Sequence, residues 1–148
     1  MKLSRKKAFI IILAILIIVN FAFVLKERRE YNKAVENVAE SYDYLYKDMT
    51  KLLQNESIDF FSVEHQYVLF MGNYMKWDPM FTDLAEHGKL PEETNTLRGD
   101  SNEACWQLRN LYYEAVETVY FNHEPPTEKM METLEENKAS FDALFVKF

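Results

Sequence analysis

Residues 8–25 read AFIIILAILIIVNFAFVL, a stretch of eighteen residues in which only Asn20 is polar. An α-helix of that length covers about 27 Å, which is close to the hydrocarbon thickness of a lipid bilayer. A chain of 148 residues builds one modest core, too narrow to surround such a helix on all sides. The stretch therefore predicts a single transmembrane anchor over residues 8–25.

A cleaved signal peptide is the alternative to a retained anchor. The apolar stretch is longer than the roughly 7–15 residues of a typical signal-peptide core. The best cleavage motif, Asn20-Phe21-Ala22, places Asn and Phe where small residues are required. We therefore predict that the anchor is not cleaved.

Basic residues flank the predicted anchor on both sides. The flank of residues 1–7 and the stretch after the anchor hold four each, namely Lys2, Arg5, Lys6 and Lys7 before it and Lys26, Arg28, Arg29 and Lys33 after it. The N-terminal flank contains no acidic residue, and a long downstream domain is translocated largely regardless of its charge. The sequence thus favours a single-pass protein of the cell membrane, with a cytoplasmic N-terminus and an extracytoplasmic body.

The chain beyond the N-terminal flank is acidic. Its formal net charge is −7, and removing the four basic residues of the flank leaves −11 for the chain from residue 8 onward. An acidic body repels the phosphate backbone of nucleic acids. Nucleic acid is therefore not an expected partner.

The helix of the anchor is predicted to continue beyond the membrane. Apolar residues recur there in alternating steps of four and three, at Tyr31, Val35, Val38, Tyr42, Leu45, Met49 and Leu52. Neither Gly nor Pro occurs in residues 8–54. We expect one helix of about 47 residues and about 70 Å, whose outer part stands above the bilayer.

Three further helical stretches follow. The second helix is expected to start after Ser57, Asp59 or Ser62 and to end at Asp78-Pro79, with a short extra segment that ends at Gly88. Residues 91–122 hold another helical pattern, with a break predicted at residues 98–100, and a last helix runs from about residue 126 to 146. Asn137 is expected at the edge of that helix's apolar seam, and the alternative is a buried Asn that fixes the helix register. The predicted fold is all-α, with the transmembrane helix continuous with an antiparallel up-down bundle of about four helices over residues 26–148.

The second helix contains an unusually aromatic stretch. Residues 60–81 read FFSVEHQYVLFMGNYMKWDPMF, and their apolar side chains cover an arc of roughly 200°, whereas a bundle helix needs a little over 100°. The helix is either the most buried element or partly a contact surface. Burial is favoured, and the alternative is a partner-binding groove or ligand pocket around Phe70, Tyr74, Trp77 and Phe81.

Motifs of known chemistry are missing from the sequence. None of the three histidines, His65, His87 and His123, forms an i,i+4 pair with another, and no HExxH, GxSxG or Walker motif occurs. Cys105, the single cysteine, offers no CxxC pair and is expected to be a small buried hydrophobe. No catalytic residue, metal site or cofactor is predicted.

Three classes of function remain. The favoured one is a membrane-anchored, non-catalytic accessory or regulatory protein whose extracytoplasmic bundle docks onto an envelope protein. The alternative is a small-ligand-binding sensor subunit with an aromatic pocket between helices. An enzyme without a recognisable motif is the third.

Overall fold

The computed structural model describes residues 5–91, 94, 100–145 and 147. All regular secondary structure in these ranges is helical, and no strand occurs in them. The elements are α1 (Arg5–Leu53), α2 (Phe60–Glu86), α3 (Asp100–Val116), a π-helical turn that extends α3 (Glu117–Phe121) and α4 (Glu128–Leu144). The predicted all-α fold with four helices is confirmed.

Helix α1 runs without interruption over 49 residues, as its lack of Gly and Pro predicts. It is about 73 Å long at the rise of an α-helix. No residue in its most apolar 18-residue window is buried within the chain. By length and composition, α1 is the one helix among the described residues that could cross a membrane.

The second half of α1 has a different environment. Its predicted apolar seam is buried at every position, namely Tyr31, Val35, Val38, Tyr42, Leu45, Met49 and Leu52. Burial starts about 9 Å along the helix from Leu25, the last residue of the apolar stretch. The heptad spacing therefore predicted the core-facing side of α1 correctly.

Helix α2 ends in a hydrogen-bond arrangement that depends on a glycine. Gly88 has a φ of 63°, its N–H donates to the Ala85 carbonyl at 3.1 Å, and the Lys89 N–H donates to the Leu84 carbonyl at 2.9 Å. This pair of bonds satisfies carbonyls that have no partner within the helix. Asn55, with a φ of 58°, ends α1 in the same way.

Helix α2 continues through Pro79, so the break predicted at Asp78-Pro79 is wrong. A proline inside a helix removes one backbone hydrogen bond and costs about 3 kcal/mol. However, Trp77 and Phe81 on either side of it are buried on the same helix face, and Leu84 extends that face one turn further. Their shared burial holds the helix together across the proline, which is itself exposed. The short extra segment is therefore the last part of α2.

Hydrogen bonds connect residues that are far apart in the chain. The Asn73 side-chain amide donates to the Asn37 carbonyl at 3.2 Å, and the Lys89 ammonium donates to the Glu27 carboxylate at 2.8 Å. At the other end of the body, the Tyr120 hydroxyl donates to the Ile58 carbonyl at 2.8 Å. All four helices contribute to one continuous apolar core.

Helices α3 and α4 start close to the predicted positions. The predicted break at residues 98–100 falls partly on residues outside the described ranges, and α3 is described from Asp100, with Glu103 also in its first turn. Helix α4 starts at Glu128 after Thr127. Asn137 is fully buried rather than at the edge of the seam, because its side chain is hydrogen-bonded to both α1 and α3.

Candidate functional site

The four predicted binding residues lie inside the protein. Phe70, Trp77 and Phe81 have 0% of their surface exposed, and Tyr74 has 5%. Phe70 and Tyr74 pack around the Phe141 ring of α4, with ring centroids 5.4 and 6.2 Å away. A docking surface at these four side chains is therefore not exposed, although Tyr74 borders a surface cleft.

Part of the exposed apolar side of α2, at Met75, shares a cleft with α3. Met75 is 68% exposed, Val68 is also exposed, and the Trp106 side chain of α3 is 57% exposed. Tyr113, two turns beyond Trp106, is exposed as well. We call these four residues, Val68, Met75, Trp106 and Tyr113, the α2–α3 surface. Such large apolar side chains in water mark contact sites when they occur together.

Arg109 lies close to both aromatic rings of the α3 half of this surface. The Arg109 guanidinium lies 4.8 Å from the centre of the Trp106 ring and 5.8 Å from that of Tyr113. The three residues follow the i, i+3, i+7 spacing of one helix face. Cation–π attraction restricts the rotamers of all three side chains, so less conformational entropy is lost when a partner binds them.

A cleft of about 210 Å³ opens between α2 and α3. It is lined by Met71, Tyr74, Met75, Asn102, Cys105, Trp106 and Arg109. In its wall, the Cys105 thiol faces the Met71 sulfur at 3.9 Å. The cleft is thus mainly apolar, with polar groups from Asn102, Tyr74 and Arg109 at its border.

A carboxylate joins α2 and α3 beside this cleft. The Asp78 carboxylate accepts hydrogen bonds from the Ser101 hydroxyl at 2.8 Å and from the Tyr74 hydroxyl at 3.2 Å. The Ser101 side chain is fully buried. Asp78 therefore ties the two helices together at one end of the α2–α3 surface.

Stacked tyrosines join the same two helices further from the anchor. The Tyr67 and Tyr112 rings are parallel, with centroids 3.9 Å apart, and Tyr113 lies 6.0 Å from Tyr67. Burial raises the pKa of Tyr112 to about 12, and the negative charge of Glu64 acts in the same direction. These packed rings therefore hold α2 and α3 together next to Tyr113 of the α2–α3 surface.

Cys105 has the environment of a structural cysteine. Burial raises the pKa of its thiol to about 11, and the nearby Asp78 carboxylate adds to the effect. At neutral pH the group is a protonated thiol, whereas a nucleophilic cysteine needs a lowered pKa. This position agrees with the expectation of a small buried hydrophobe.

The described residues contain no group of three or more His, Cys, Asp or Glu side chains placed to hold a metal ion. Asp83 and His87, four apart on α2, are close together but exposed, with the His87 Nδ1 3.4 Å from the Asp83 carboxylate. The same nitrogen lies 2.7 Å from the Asp83 backbone carbonyl. The contacts between Asp83 and His87 are therefore part of the hydrogen bonding at the C-terminal end of α2.

Sequence reasoning missed Trp106, Arg109 and Tyr113. These residues lie just outside the buried seam of α3, which contains Ala104 and Leu108. The available signal is their spacing of three and four, which puts two aromatic rings and a cation on one exposed face.

The chain matched no protein-family model, no curated protein and no solved structure in the three comparisons made. Its function is accordingly inferred from the α2–α3 surface and from the apolar first half of α1.

Proposed function

We propose that the protein is a membrane-anchored, non-catalytic accessory or regulatory protein that docks onto an envelope protein. Residues 8–25 anchor it as a single span, with the N-terminus in the cytoplasm. Residues 26–148 form an antiparallel up-down bundle outside the cell membrane. The α2–α3 surface of that bundle binds the partner.

The exposure of the first half of α1 supports the anchor. Its apolar side chains lie at the surface of the protein without cover from the other described helices. The Glu27–Lys89 ion pair holds the end of α2 just above Leu25. Apolar surface of this extent is stable in a bilayer and costly in water.

The hydrogen bonds between α1 and α2 support the antiparallel arrangement. Asn37 bonds to Asn73 in α2, and Glu27, earlier in α1, bonds to Lys89 just after the end of α2. The Tyr120–Ile58 bond brings the end of α3 to the opposite end of the body, where α2 begins. Residues 54–59 join α1 to α2 and residues 122–127 join the π-helical turn to α4, and short connections of this kind favour antiparallel neighbours.

The single observation that carries the docking proposal is the exposed pair Met75 and Trp106 across one cleft, with Arg109 stacked on Trp106. Trp, Tyr, Met and Arg are the residue types enriched in the centres of protein interfaces. Large apolar side chains that are exposed next to one another are uncommon on surfaces that bind no partner.

A small-ligand sensor is the second candidate function, and the cleft at Met71, Tyr74 and Cys105 favours it. The cleft measures about 210 Å³. Pockets for small molecules usually measure roughly 300–1,000 Å³. A ligand there would have to be small and mainly apolar, which makes the protein partner the stronger proposal.

The docking proposal is tested by purifying tagged full-length protein from native membranes. Trp106→Ala combined with Tyr113→Ala should remove a membrane protein that co-purifies with the wild type. Tyr44→Ala is the matched control, because Tyr44 is an exposed aromatic residue on α1. A complex that survives the double substitution, or that is lost equally with Tyr44→Ala, rejects the α2–α3 surface as the docking site.

A further inference from the structure

The first turns of α1 beyond the apolar stretch carry a basic surface. One side of α1 carries these residues next to open space at the protein surface: Leu25, Arg28, Arg29, Asn32, Lys33 and Glu36. All of these residues belong to α1. A cationic surface is unexpected in this place, because the chain from residue 8 onward has a net charge of −11 once the four basic residues of the N-terminal flank are removed from −7.

The acidic residues in this part of α1 are already neutralised. Each of them lies within ion-pair distance of a lysine: Glu27 of Lys89 at 2.8 Å, Glu30 of Lys26 at 3.7 Å and Glu36 of Lys147 at 2.6 Å. Within the described ranges, no carboxylate forms such a pair with Arg29 or Lys33. These two cations, four residues apart on one helix face, are therefore available to an anion from outside the chain.

The distance along the helix places both groups at the depth of lipid phosphates. The Arg29 and Lys33 Cα atoms lie about 6 and 12 Å beyond Leu25. The polar layer of a bilayer is about 5–8 Å thick on each side. Side chains of a helix tilt towards its N-terminus, which here is the membrane side, and long basic side chains extend towards the headgroups. Arg29 lies in the headgroup layer and Lys33 reaches it.

We propose that Arg29 and Lys33 bind the phosphate of an anionic phospholipid at the outer end of the anchor. This proposal rests on the proposed membrane insertion of residues 8–25. The guanidinium offers two parallel donors to phosphate oxygens, and the ammonium adds a second positive charge. Leu25 contacts the acyl chain of the same lipid. The bound anionic lipid holds the base of an otherwise acidic body against a negatively charged membrane surface.

The test uses full-length protein in detergent micelles, to which phosphatidylglycerol or phosphatidylcholine is added, with bound lipid measured by native mass spectrometry. The wild type should retain phosphatidylglycerol in preference to phosphatidylcholine. Arg29→Gln combined with Lys33→Gln should reduce phosphatidylglycerol binding about tenfold or more, since each juxtamembrane cation contributes about fivefold. Lys47→Gln combined with Lys51→Gln is the matched control, with the same spacing and charge change about 33 and 39 Å from Leu25 along the same helix.

Equal retention of the two lipids by the wild type overturns the proposal. So does equal loss in the two double variants, because that result would show a general effect of net charge. Inorganic phosphate is added as a separate arm, and displacement of the lipid at millimolar phosphate identifies a free-anion site instead. Cleavage of the anchor is recognised independently, as a mature chain in cells that begins near residue 23. It does not affect the lipid comparison in micelles, which uses the full-length protein.

Discussion

The Tyr42 hydroxyl donates a hydrogen bond to the Asn137 side-chain oxygen at 3.0 Å, in the fully buried centre of the protein. The Asn137 amide nitrogen donates in turn to the Ala104 carbonyl at 2.7 Å. This chain of bonds joins α1, α4 and α3. A shift of α4 by one residue would leave all of these polar groups buried and unpaired, so the bonds fix its register.

Tyr42→Phe should lower the free energy of unfolding by about 1–3 kcal/mol, because the Asn137 oxygen then stays buried without a donor. Thermal and urea unfolding of the full-length protein in detergent measure the loss. Tyr44→Phe is the control, because Tyr44 is exposed, and it should have little effect. If the bond is structural, Tyr42→Phe combined with Asn137→Leu should lose less stability than the sum of the two single changes.

Trp77→Ala and Trp106→Ala should have opposite effects on stability and binding. Trp77 is fully buried, so its removal should cost about 3–5 kcal/mol of unfolding free energy. Trp106 is more than half exposed, so its removal should cost about 1 kcal/mol or less while weakening partner binding. Denaturant midpoints and co-purification distinguish the two, and a large stability loss for Trp106→Ala would place it in the core.

The buried faces of the helices could be predicted because a heptad spacing is a local property. In α1 every position of the spacing from Tyr31 to Leu52 is buried in the core, which Leu53 joins from outside the spacing. The course of α2 through Pro79 could not be predicted in this way. The local cost of a proline is visible in the sequence, whereas the burial of Trp77 and Phe81 against other helices is not.

The candidate site was harder to predict than the fold. The excess apolar arc of α2 was visible in the sequence, but the sequence does not show which part of the arc faces α3. The structure buries Phe70 and Trp77 and exposes Val68 and Met75. Asn137 was misplaced for the same reason, since its partners Tyr42 and Ala104 are distant in the chain. Such positions depend on contacts between residues that are far apart in the chain. A local pattern in one sequence does not reveal those contacts.

Stability should fall at alkaline pH. Burial raises the pKa of Cys105 to about 11 and those of Tyr31 and Tyr112 to about 12, from ordinary values of 9.0 and 10.0. The folded protein thus holds these protons more tightly than the unfolded chain. The stabilisation is complete below about pH 9 and is lost as the pH rises through 11 and 12. Urea unfolding at pH 8, 10 and 11 should show this decline.

The contribution of the thiol to this decline can be separated from that of the tyrosines. Cys105→Ala removes the thiol, so the variant should lose less stability between pH 9 and 11 than the wild type. The decline towards pH 12 should remain, because Tyr31 and Tyr112 are unchanged. An identical slope for the variant and the wild type would mean that Cys105 titrates normally in the folded protein.

The retained anchor and its orientation give a prediction in cells. The protein should stay in membranes after an alkaline carbonate wash, and its mature chain should include residues 8–25. A reporter fused after Phe148 should be active only if it is a type that works outside the cytoplasm. Activity of a cytoplasmic reporter alone would show that the body lies in the cytoplasm. A mature chain that begins near residue 23 would show that the anchor is cleaved.

Substitutions at Gly72 distinguish effects on fold stability from effects on docking at α2. A Cβ added there would meet nothing within 4 Å, and the residue is exposed inside α2, one turn from Val68. Gly72→Ala should therefore raise the unfolding free energy by about 0.5–1 kcal/mol, through helix propensity alone. Gly72→Leu should be no less stable than the wild type, because Leu is also a good helix former and the space is open.

If a partner packs against this side of α2, the Leu side chain at position 72 occupies the space of the partner, and co-purification with the membrane partner should fall. Glu132→Leu is the matched control, because it adds the same side chain to an exposed position of α4. Reduced co-purification by Gly72→Leu but not by Glu132→Leu, at unchanged stability, places the partner on α2 beside Val68. Equal co-purification of both variants would leave Gly72 outside the contact and restrict docking to the Met75–Trp106 side of the α2–α3 surface.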